Sequence, residues 1–371
     1  MSLLLFILFA LLFLYAAVLL WLSIGFIRTS FFIPQGGKKD TPLTIIICAR
    51  NEQGNITACL TSILKQDYDP QKMELIFIND ASSDLTVQIA ETILKKSPFS
   101  YRIISNKQQK GKKQSISYAM SLANHELIVL RDADTFTTSY QWLQSISDFY
   151  KAERADLIIA PVAIADHSVL LWALQAIENN ILAVMACGSA FYKKAFLCNG
   201  ANLIFTKKIF EKAGGYNSHL QIASGDDIFF LEDVKKIPGA RISYLKSVSA
   251  VVYTYPCYSF SALISQKIRW ASKFKINKNA LNFCLAGLIF MVNAAWLFCF
   301  FYSFFSPAFQ GLAFRFIILK LLIDILLLFL ASGFIKNKNL LWFSLPAGCI
   351  YPVYSCIVGI ASFFAKPAWK K

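Results

Sequence analysis

Two aspartates stand at the end of an apolar run. Residues 128–130 are Ile, Val and Leu, and Asp132 and Asp134 follow after Arg131. In a strand, residues i and i+2 point to the same face, so both carboxylates can face one ligand at the strand's end. Two clustered carboxylates at a strand terminus can hold a hard divalent cation, which in turn binds phosphate oxygens. The competing interpretation is a solvated acidic turn, and the elements around the pair decide between the two.

The chain around this pair alternates between strand and helix patterns. Short β-branched or apolar runs occupy 43–48, 75–78, 101–105 and 127–130, and helical patterns occupy 56–66, 82–91 and 114–122. Ser82 or Ser83 is the expected N-cap of the second of these helices. The alternation predicts an α/β domain with a mostly parallel sheet and helices on both faces.

Polar residues follow three of the predicted strands. Arg50-Asn51-Glu52 follow the first strand, Asn79-Asp80 follow the second, and the aspartate pair follows the fourth. Ligands of open parallel sheets bind outside the carboxyl ends of the strands, so these residues are expected to converge on one nucleotide-type site. The chain has no Gly-x-Gly-x-x-Gly and no Walker A sequence, which excludes dinucleotide and P-loop sites.

Composition indicates an integral membrane protein. The 371 residues are 56% hydrophobic and 16% charged, whereas soluble domains carry about 25% charged residues. Residues 3–27 hold no charge and are long enough to cross a bilayer. The absence of a basic start favours an uncleaved anchor over 1–28 rather than a signal peptide. Arg28, Lys38 and Lys39 then place the following segment in the cytoplasm, which suits a bacterial inner membrane protein.

The C-terminal part, 281–371, contains about three further apolar segments, at 281–305, 312–334 and 340–364. Lys320 and Asp324 are four residues apart in the second of these and can pair on one helix face. Pro346 and Pro352 interrupt the last segment, which is either a third span or a re-entrant hairpin.

The segment between these ends, 41–275, is the predicted globular domain, and one part of it is strongly apolar. Residues 169–186 form either an interfacial helix on the cytoplasmic leaflet or a buried core helix. The net charge of +15 suits an anionic membrane surface or a phosphate-bearing substrate. No basic motif with interleaved aromatic residues is present, so nucleic acid is not an expected partner.

Six segments, taken in chain order, resemble the family 2 glycosyltransferases. They are Ala49-Arg50-Asn51-Glu52, Asn79-Asp80-Ala81-Ser82-Ser83-Asp84, Lys110-Gly111-Lys112-Lys113, Arg131-Asp132-Ala133-Asp134, Gly225-Asp226-Asp227 and Gln266-Lys267-Ile268-Arg269-Trp270. The resemblance covers about residues 43–270. It implies a GT-A fold, a nucleotide-sugar donor and an inverting transfer.

The resemblance also implies roles for donor-binding residues. Asp80 corresponds to the carboxylate that binds uracil, and the segment Ala49-Arg50-Asn51-Glu52 would pack on the base. Asp132 would contact the ribose or the metal, Asp134 would bind Mg2+ or Mn2+ at the diphosphate, and Lys112 would lie near the phosphates. A solvated basic loop is the alternative for Lys107–Lys113.

The resemblance places the general base at Asp227 or Asp226, although the family carries Glu where this chain has Asp226. Asn199, Gly200 and Asn202 correspond to a segment that lines the acceptor site, and an ordinary turn is the alternative.

Gln266, Arg269 and Trp270 share a helix face by their spacing. Arg269 could meet the diphosphate as a bidentate donor, and Trp270 offers a flat face to a sugar ring of donor or acceptor. A juxtamembrane helix at the headgroup level is the alternative.

The predicted activity is therefore transfer of a sugar to a lipid or glycan acceptor at the cytoplasmic membrane face. A UDP-sugar is the expected donor. The family's polysaccharide synthases often carry a doubled Gln where this chain has Ser265-Gln266, which favours addition of one or a few sugars. A processive polysaccharide synthase is the alternative within the family, and a non-catalytic scaffold is the alternative outside it. The sugar, the acceptor and any export partner stay open.

Overall fold

A computed structural model describes residues 2–37, 39–167, 169–220, 222, 225–272, 280–335 and 338–365. The chain divides into two compact units. The first unit comprises Met1–Ile27, Asp166–Gly188 and Pro256–Lys371, and the second comprises Arg28–Ala165 and Ser189–Tyr255. The segment that contains Gln266, Arg269 and Trp270 thus belongs to the first unit, with the long apolar helices.

The α-helices of the described residues are numbered along the chain. They are α1 (Ser2–Arg28), α2 (Ile56–Leu64), α3 (Thr86–Leu94), α4 (Lys112–Leu122), α5 (Trp142–Glu153), α6 (Leu170–Phe191), α7 (Lys207–Lys212), α8 (Asp226–Lys235), α9 (Phe260–Ala271), α10 (Ala280–Tyr302), α11 (Pro307–Ile335) and α12 (Ser344–Phe364).

The strands of the described residues all lie in the second unit. They are β1 (Leu43–Ala49), β2 (Met73–Asn79), β3 (Ser100–Ser105), β4 (Leu127–Asp132), β5 (Thr135–Phe136), β6 (Leu157–Ile159), β7 (Val162–Ile164), β8 (Asn202–Thr206), β9 (Ile242–Tyr244) and β10 (Val252–Thr254).

A mixed, mostly parallel sheet is the centre of the second unit. Its strand order is β3-β2-β1-β4-β8-β6-β9, and a smaller sheet has the order β5-β10-β7. The first four strands run parallel, and β8 runs antiparallel to β4 and β6. This confirms the predicted α/β class with a mostly parallel sheet, which follows from the alternation of strands and helices along the chain.

The core of this unit forms where strand side chains meet helix side chains. Ile45 and Ile47 of β1 are fully buried, together with Leu60 of α2 and Trp142 and Ile146 of α5. Burial of one such side chain contributes roughly 1.5–3 kcal/mol relative to its exposure. The sheet is therefore a rigid support for the loops that follow its strands.

One predicted helix start is wrong. The second predicted helix begins at Thr86, with Leu85 as its N-cap residue, and not after Ser82 or Ser83. Instead, Ser82 and Ser83 bind Asn51, which follows β1. Short polar side chains can satisfy backbone groups of a neighbouring loop as well as those of a helix, and here the loop prevails.

The first unit consists mainly of long apolar helices. Five helices of the described residues are long and apolar enough to cross a membrane: α1, α6, α10, α11 and the segment that ends in α12. In α6, 61% of the most apolar window is buried inside the protein, against 22–33% in the other four. Polar residues on α6 thus lie among protein neighbours.

The last apolar segment is not a re-entrant hairpin. The described residues Ser344–Phe364 form one continuous helix, α12, which contains Pro352. The predicted pair inside α11 is confirmed, because Lys320 Nζ lies 2.7 Å from Asp324 Oδ2. The Tyr15 hydroxyl on α1 donates a hydrogen bond of 2.8 Å to the same carboxylate. The cost of burying these charges is reduced because each has a partner.

Candidate active site

The ends of the parallel strands bring the predicted polar residues to one edge of the sheet. The register places Ala49 of β1 beside Asn79 of β2, and Cys48 of β1 beside Asp132 of β4. The Asp80 N–H then donates a 2.8 Å hydrogen bond to the Ala49 carbonyl oxygen. The loops after β1, β2 and β4 therefore start from neighbouring positions.

The loops after β1 and β2 are locked together by hydrogen bonds. Asn51 N–H donates to Ser82 Oγ at 3.0 Å, and Asn51 Oδ1 accepts from Ser83 N–H at 2.9 Å. Gln53 N–H donates to Asp84 Oδ2 at 3.1 Å. Burial raises the pKa of Asp84, but hydrogen bonds from its neighbours outweigh this effect and the net pKa is lowered. The network fixes the conformation of the segment that, by the family resemblance, would pack on the nucleotide base.

Two residues of these loops adopt left-handed backbone conformations. The φ of Asn51 is 54° and that of Ala81 is 56°. Such conformations cost of order 1–3 kcal/mol for residues other than glycine, and they persist only where the surroundings enforce them. Arg50 lies beside them, and its Nε and Nη1 are buried with no hydrogen-bond partner in the described part of the chain. These guanidinium donors suit an anionic or polar ligand.

Asp80 organises the next loop. Asp80 is only 4% exposed. Its carboxylate accepts hydrogen bonds from the backbone N–H groups of Lys110 at 2.8 Å and Gly111 at 2.9 Å. Asn106 Nδ2 donates to Asp80 Oδ1 at 2.9 Å. Gly111 has a φ of 87° and precedes α4. Asp80 therefore determines where α4 begins and where Lys112 lies.

Lys112 lies between carboxylates from two different elements. Its Nζ is 2.7 Å from Asp132 Oδ1 and 2.8 Å from Asp226 Oδ2, and its side chain is 13% exposed. Burial lowers the pKa of Lys112, but the two carboxylates outweigh burial and raise it well above its ordinary value. The side chain is an ammonium ion that joins the end of β4 to the start of α8.

The neighbouring lysine is also inside the protein. Lys113 is 6% exposed, and its Nζ donates to the carbonyl oxygens of His219 at 2.8 Å and Ile222 at 3.0 Å. The ammonium also lies 5.1 Å from the centre of the Phe229 ring. Lys107 and Lys110 are exposed, so the solvated-loop interpretation holds for them and is wrong for Lys112 and Lys113.

Asp226 and Asp227 occupy the first turn of α8, after Gly225 with a φ of 82°. Carboxylates are favoured there by the helix dipole. The residue Asp226 is buried, and its carboxylate is paired with Lys112. Asp227 is partly exposed, and its Oδ2 accepts a 3.2 Å hydrogen bond from Gly200 N–H. The two adjacent carboxylates thus have different partners.

Gly200 fits closely against this cluster. A Cβ at this position would lie 3.2 Å from Asp226 Oδ2, 3.4 Å from Lys112 Nζ and 3.5 Å from Asp227 Cβ. A hydrogen in place of a side chain is what lets the backbone approach the charged groups. Gly200 therefore lies in one cluster with Lys112, Asp226 and Asp227.

Asn199 and Asn202 have different surroundings. Asn199 is partly exposed, and its Oδ1 accepts from Ala201 N–H at 3.0 Å. Asn202 is fully buried on β8: its Nδ2 donates to the carbonyls of Pro161 and Ala250, and its Oδ1 accepts from Trp142 Nε1. We therefore assign Asn202 to the core, since its amide is committed to protein partners and cannot reach an acceptor.

The aspartate pair spans the end of β4 and the short turn before β5. Asp132 and Asp134 are partly exposed, and they alternate with the buried residues Arg131, Ala133 and Thr135. The fully buried Arg131 supports the turn from behind: its Nε donates to Thr135 Oγ1 at 3.2 Å. Thr135 Oγ1 in turn donates to the Asp132 carbonyl at 2.7 Å.

Asp132 and Asp134 suit a metal ion whose other ligands come from substrate phosphates and water. Among the residues that the structure describes, no group of three or more His, Cys, Asp or Glu side chains is arranged to hold a metal ion. Mg2+ is commonly bound by one or two carboxylates, with substrate phosphates and water as the other ligands. Asp132 and Asp134 supply oxygen ligands of this kind.

Gln266, Arg269 and Trp270 lie on α9 in the first unit, as the helical spacing predicts. Between them, Lys267 is buried and pairs with Glu178 of α6 at 2.6 Å. The Lys267 ammonium lies 4.5 Å from the centre of the Trp270 ring. Trp270 is 39% exposed, and burial lowers the pKa of Arg269.

Three residues of these sites were not predicted from the sequence. Arg131 braces the aspartate turn, and Glu178 pairs with the helix that carries Trp270. Tyr216 is 1% exposed, and its hydroxyl has no hydrogen-bond partner in the described part of the chain. Burial and the charge of Asp226 raise the pKa of Tyr216. For Glu178, the sequence signal was a charged residue inside the apolar segment 169–186.

Comparison with known proteins covers part of this arrangement. The family model "Glycosyl transferase family 2" matches residues 44–214, which include β1 to β4 and the aspartate pair. Residues 44–214 thus form a family 2 glycosyltransferase domain.

Relatives of this family 2 glycosyltransferase include polysaccharide synthases. A poly-β-1,6-N-acetyl-D-glucosamine synthase from Staphylococcus aureus is 24% identical over 234 residues, which are 62% of this chain and 53% of the relative. Its counterpart from Staphylococcus epidermidis is 27% identical over 176 residues, 47% of this chain and 41% of the relative. The chain thus spans about half the length of these relatives.

A solved structure matches the family 2 glycosyltransferase over nearly its whole length. It is a mannosyltransferase from Pyrobaculum calidifontis in complex with GDP-Man and Mn2+, with a TM-score of 0.57 and 15% identity. The match covers 97% of this chain and 95% of the mannosyltransferase. At this identity the likeness supports the GT-A fold.

Proposed function

We propose that this protein is an inverting glycosyltransferase of a bacterial inner membrane. It would move a sugar from a nucleotide-diphosphate sugar, most favourably a UDP-sugar, to a lipid or glycan acceptor at the cytoplasmic face. The observation that carries the proposal is the Lys112 bridge, which joins Asp132 to Asp226 within 2.8 Å on each side. It gathers an acidic strand end and an acidic helix start into one cluster.

The donor would bind on the side of β1, β2 and β4. Arg50, Asn51 and Glu52, together with the Ala49 backbone, would contact the base, and Asp80 would bind uracil while it holds the start of α4. Asp132 and Asp134 would hold Mg2+ or Mn2+ at the diphosphate. When bound, that cation neutralises the charge that develops on the leaving diphosphate.

Asp227 is the better candidate for the general base. Asp226 is buried and neutralised by Lys112, whereas Asp227 is partly exposed and is oriented by Gly200 N–H. Asp227 would remove the proton from the acceptor hydroxyl while that oxygen attacks the anomeric carbon. The bond to the diphosphate breaks with its electron pair on the leaving group, and the configuration inverts. General-base catalysis contributes roughly 10²–10⁴-fold.

The acceptor would be bound by Asn199 and Gly200. Trp270 has an exposed ring face, and aromatic faces suit the apolar side of a sugar. The five apolar helices support catalysis beside a membrane, where a lipid or lipid-linked glycan is available.

Processive polysaccharide synthesis is the second candidate. It is supported by the similarity to poly-β-1,6-N-acetyl-D-glucosamine synthases. Product mass after incubation with a labelled donor separates the two candidates. A ladder of polymer would favour processive synthesis, and a single mass increment would favour transfer of one sugar.

The experiment is a donor screen on the purified full chain in detergent, with UDP- and GDP-sugars and with Mg2+ or Mn2+. We expect metal-dependent release of one nucleoside diphosphate. We also expect Asp227→Asn to lower transfer by roughly 10²–10⁴-fold without loss of nucleotide binding. Glu211→Gln, an exposed carboxylate change on α7, serves as the control. Full transfer by Asp227→Asn would exclude this residue as the base, and the absence of nucleotide binding would exclude the proposed function.

A further inference from the structure

Lys112 connects two carboxylates that the proposed function assigns to different tasks. Its ammonium lies 2.7 Å from Asp132, a proposed metal ligand, and 2.8 Å from Asp226, the neighbour of the proposed base. The Lys112 side chain is 13% exposed, so solvent ions screen these contacts weakly. A cation that belongs to the protein therefore already occupies an oxygen of the aspartate pair.

The backbone around Lys112 is held in place, whereas its side chain is long and flexible. Asp80 binds the two preceding backbone N–H groups, and Lys113 donates to two carbonyl groups of the segment before α8. A shift of the whole helix start would break all of these hydrogen bonds. The ammonium can leave Asp132 by rotation of the Lys112 side chain alone.

We propose that Lys112 is the resident counter-ion of the donor-free site and that it competes with the divalent cation for Asp132. The inference rests on the proposed function. A metal ion and an ammonium that share one carboxylate repel each other, and the repulsion is strong in a partly buried site. The divalent cation is therefore expected to bind weakly when it arrives alone.

A nucleoside diphosphate changes this balance in two ways. Its phosphates offer additional oxygen ligands to the metal, and they offer Lys112 a new anionic partner in place of Asp132. Metal and nucleotide would then raise each other's affinity by the same factor, because coupling between binding sites is reciprocal. Lys112 is thus the residue that makes binding of metal and donor cooperative.

The test measures Mn2+ binding to the full chain in detergent from the electron paramagnetic resonance signal of free Mn2+, with and without UDP or GDP. Lys112→Met removes the charge and keeps the length of the side chain. We expect this variant to bind Mn2+ without nucleotide at least about tenfold more tightly than the wild type. We also expect the nucleotide to raise its Mn2+ affinity by a smaller factor. Lys110→Met removes the same charge from an exposed position nearby, and we expect it to match the wild type.

Unchanged or weaker Mn2+ binding by Lys112→Met in the absence of nucleotide would overturn the inference. Lys112→Gln gives the same comparison if the methionine variant does not fold, with the same direction expected. A wild type that fails to bind Mn2+ even with UDP or GDP would overturn the proposed function together with this inference. The wild type and the Lys112 variants could instead show the same increase of Mn2+ affinity with nucleotide. This result would overturn only the role of Lys112.

Discussion

Gly188 is the position where a single methyl group is expected to disturb the first unit most. A Cβ on Gly188 would lie 2.0 Å from the backbone oxygen of Leu22 and 2.8 Å from its carbonyl carbon. Leu22 is fully buried on α1. Close carbon–oxygen contacts between helices are about 3.3 Å or longer, so Gly188→Ala requires α1 and α6 to separate locally by about 1.3 Å.

The contact is with backbone, so no side-chain rotation relieves it. Overpacking of this kind costs about 1–3 kcal/mol, and we expect the upper end of that range. Alanine regains about 0.5–1 kcal/mol of helix propensity, which leaves a net loss of roughly 2 kcal/mol. Small residues at helix crossings in membrane bundles serve this close approach.

The assay is thermal unfolding of the full chain in detergent, compared with Gly333→Ala. Gly333 lies on α11, and a Cβ there meets nothing within 4 Å. We expect Gly333→Ala to be neutral or slightly stabilising and Gly188→Ala to melt several degrees lower, at about 2–4 °C per kcal/mol. Equal melting temperatures of the two variants would refute the close contact between α1 and α6.

Three further predictions concern the second unit. Gly200→Ala adds a methyl group 3.2 Å from Asp226 Oδ2, and we expect transfer to fall at least tenfold with an unchanged melting temperature. Gly54→Ala, whose Cβ meets nothing within 4 Å, should transfer at the wild-type rate. Asn202→Ala removes three buried hydrogen bonds, so denaturant unfolding should show a loss of roughly 2–4 kcal/mol, while the acceptor KM of the folded protein stays unchanged. The lowered pKa of Asp84 stabilises the fold above the ordinary carboxyl pKa of about 4, and this stabilisation is lost as the pH falls through the lowered value. Melting temperatures below pH 5 should therefore depend less on pH in Asp84→Asn than in the wild type.

The sequence by itself determined the sheet and the apolar helices. Nearly continuous apolar runs such as 43–48 and 127–130 fold as β1 and β4 because both faces of a central strand are buried, and this pattern is local. The carboxyl ends of parallel strands meet at one edge, so the sequence also predicts that Asp80 and Asp132 approach each other. Hydrophobic length alone identified α1 and α10–α12 as candidate spans.

Only the tertiary structure decided what the polar residues do there. Asn202 and Gly200 are two residues apart and look equally suited to line a site, yet one is committed to the core and the other to the charged cluster. Lys112 meets Asp226 from a distant part of the chain. Local patterns such as strand alternation carry no information about such contacts, because they depend on how loops of irregular conformation pack on the sheet.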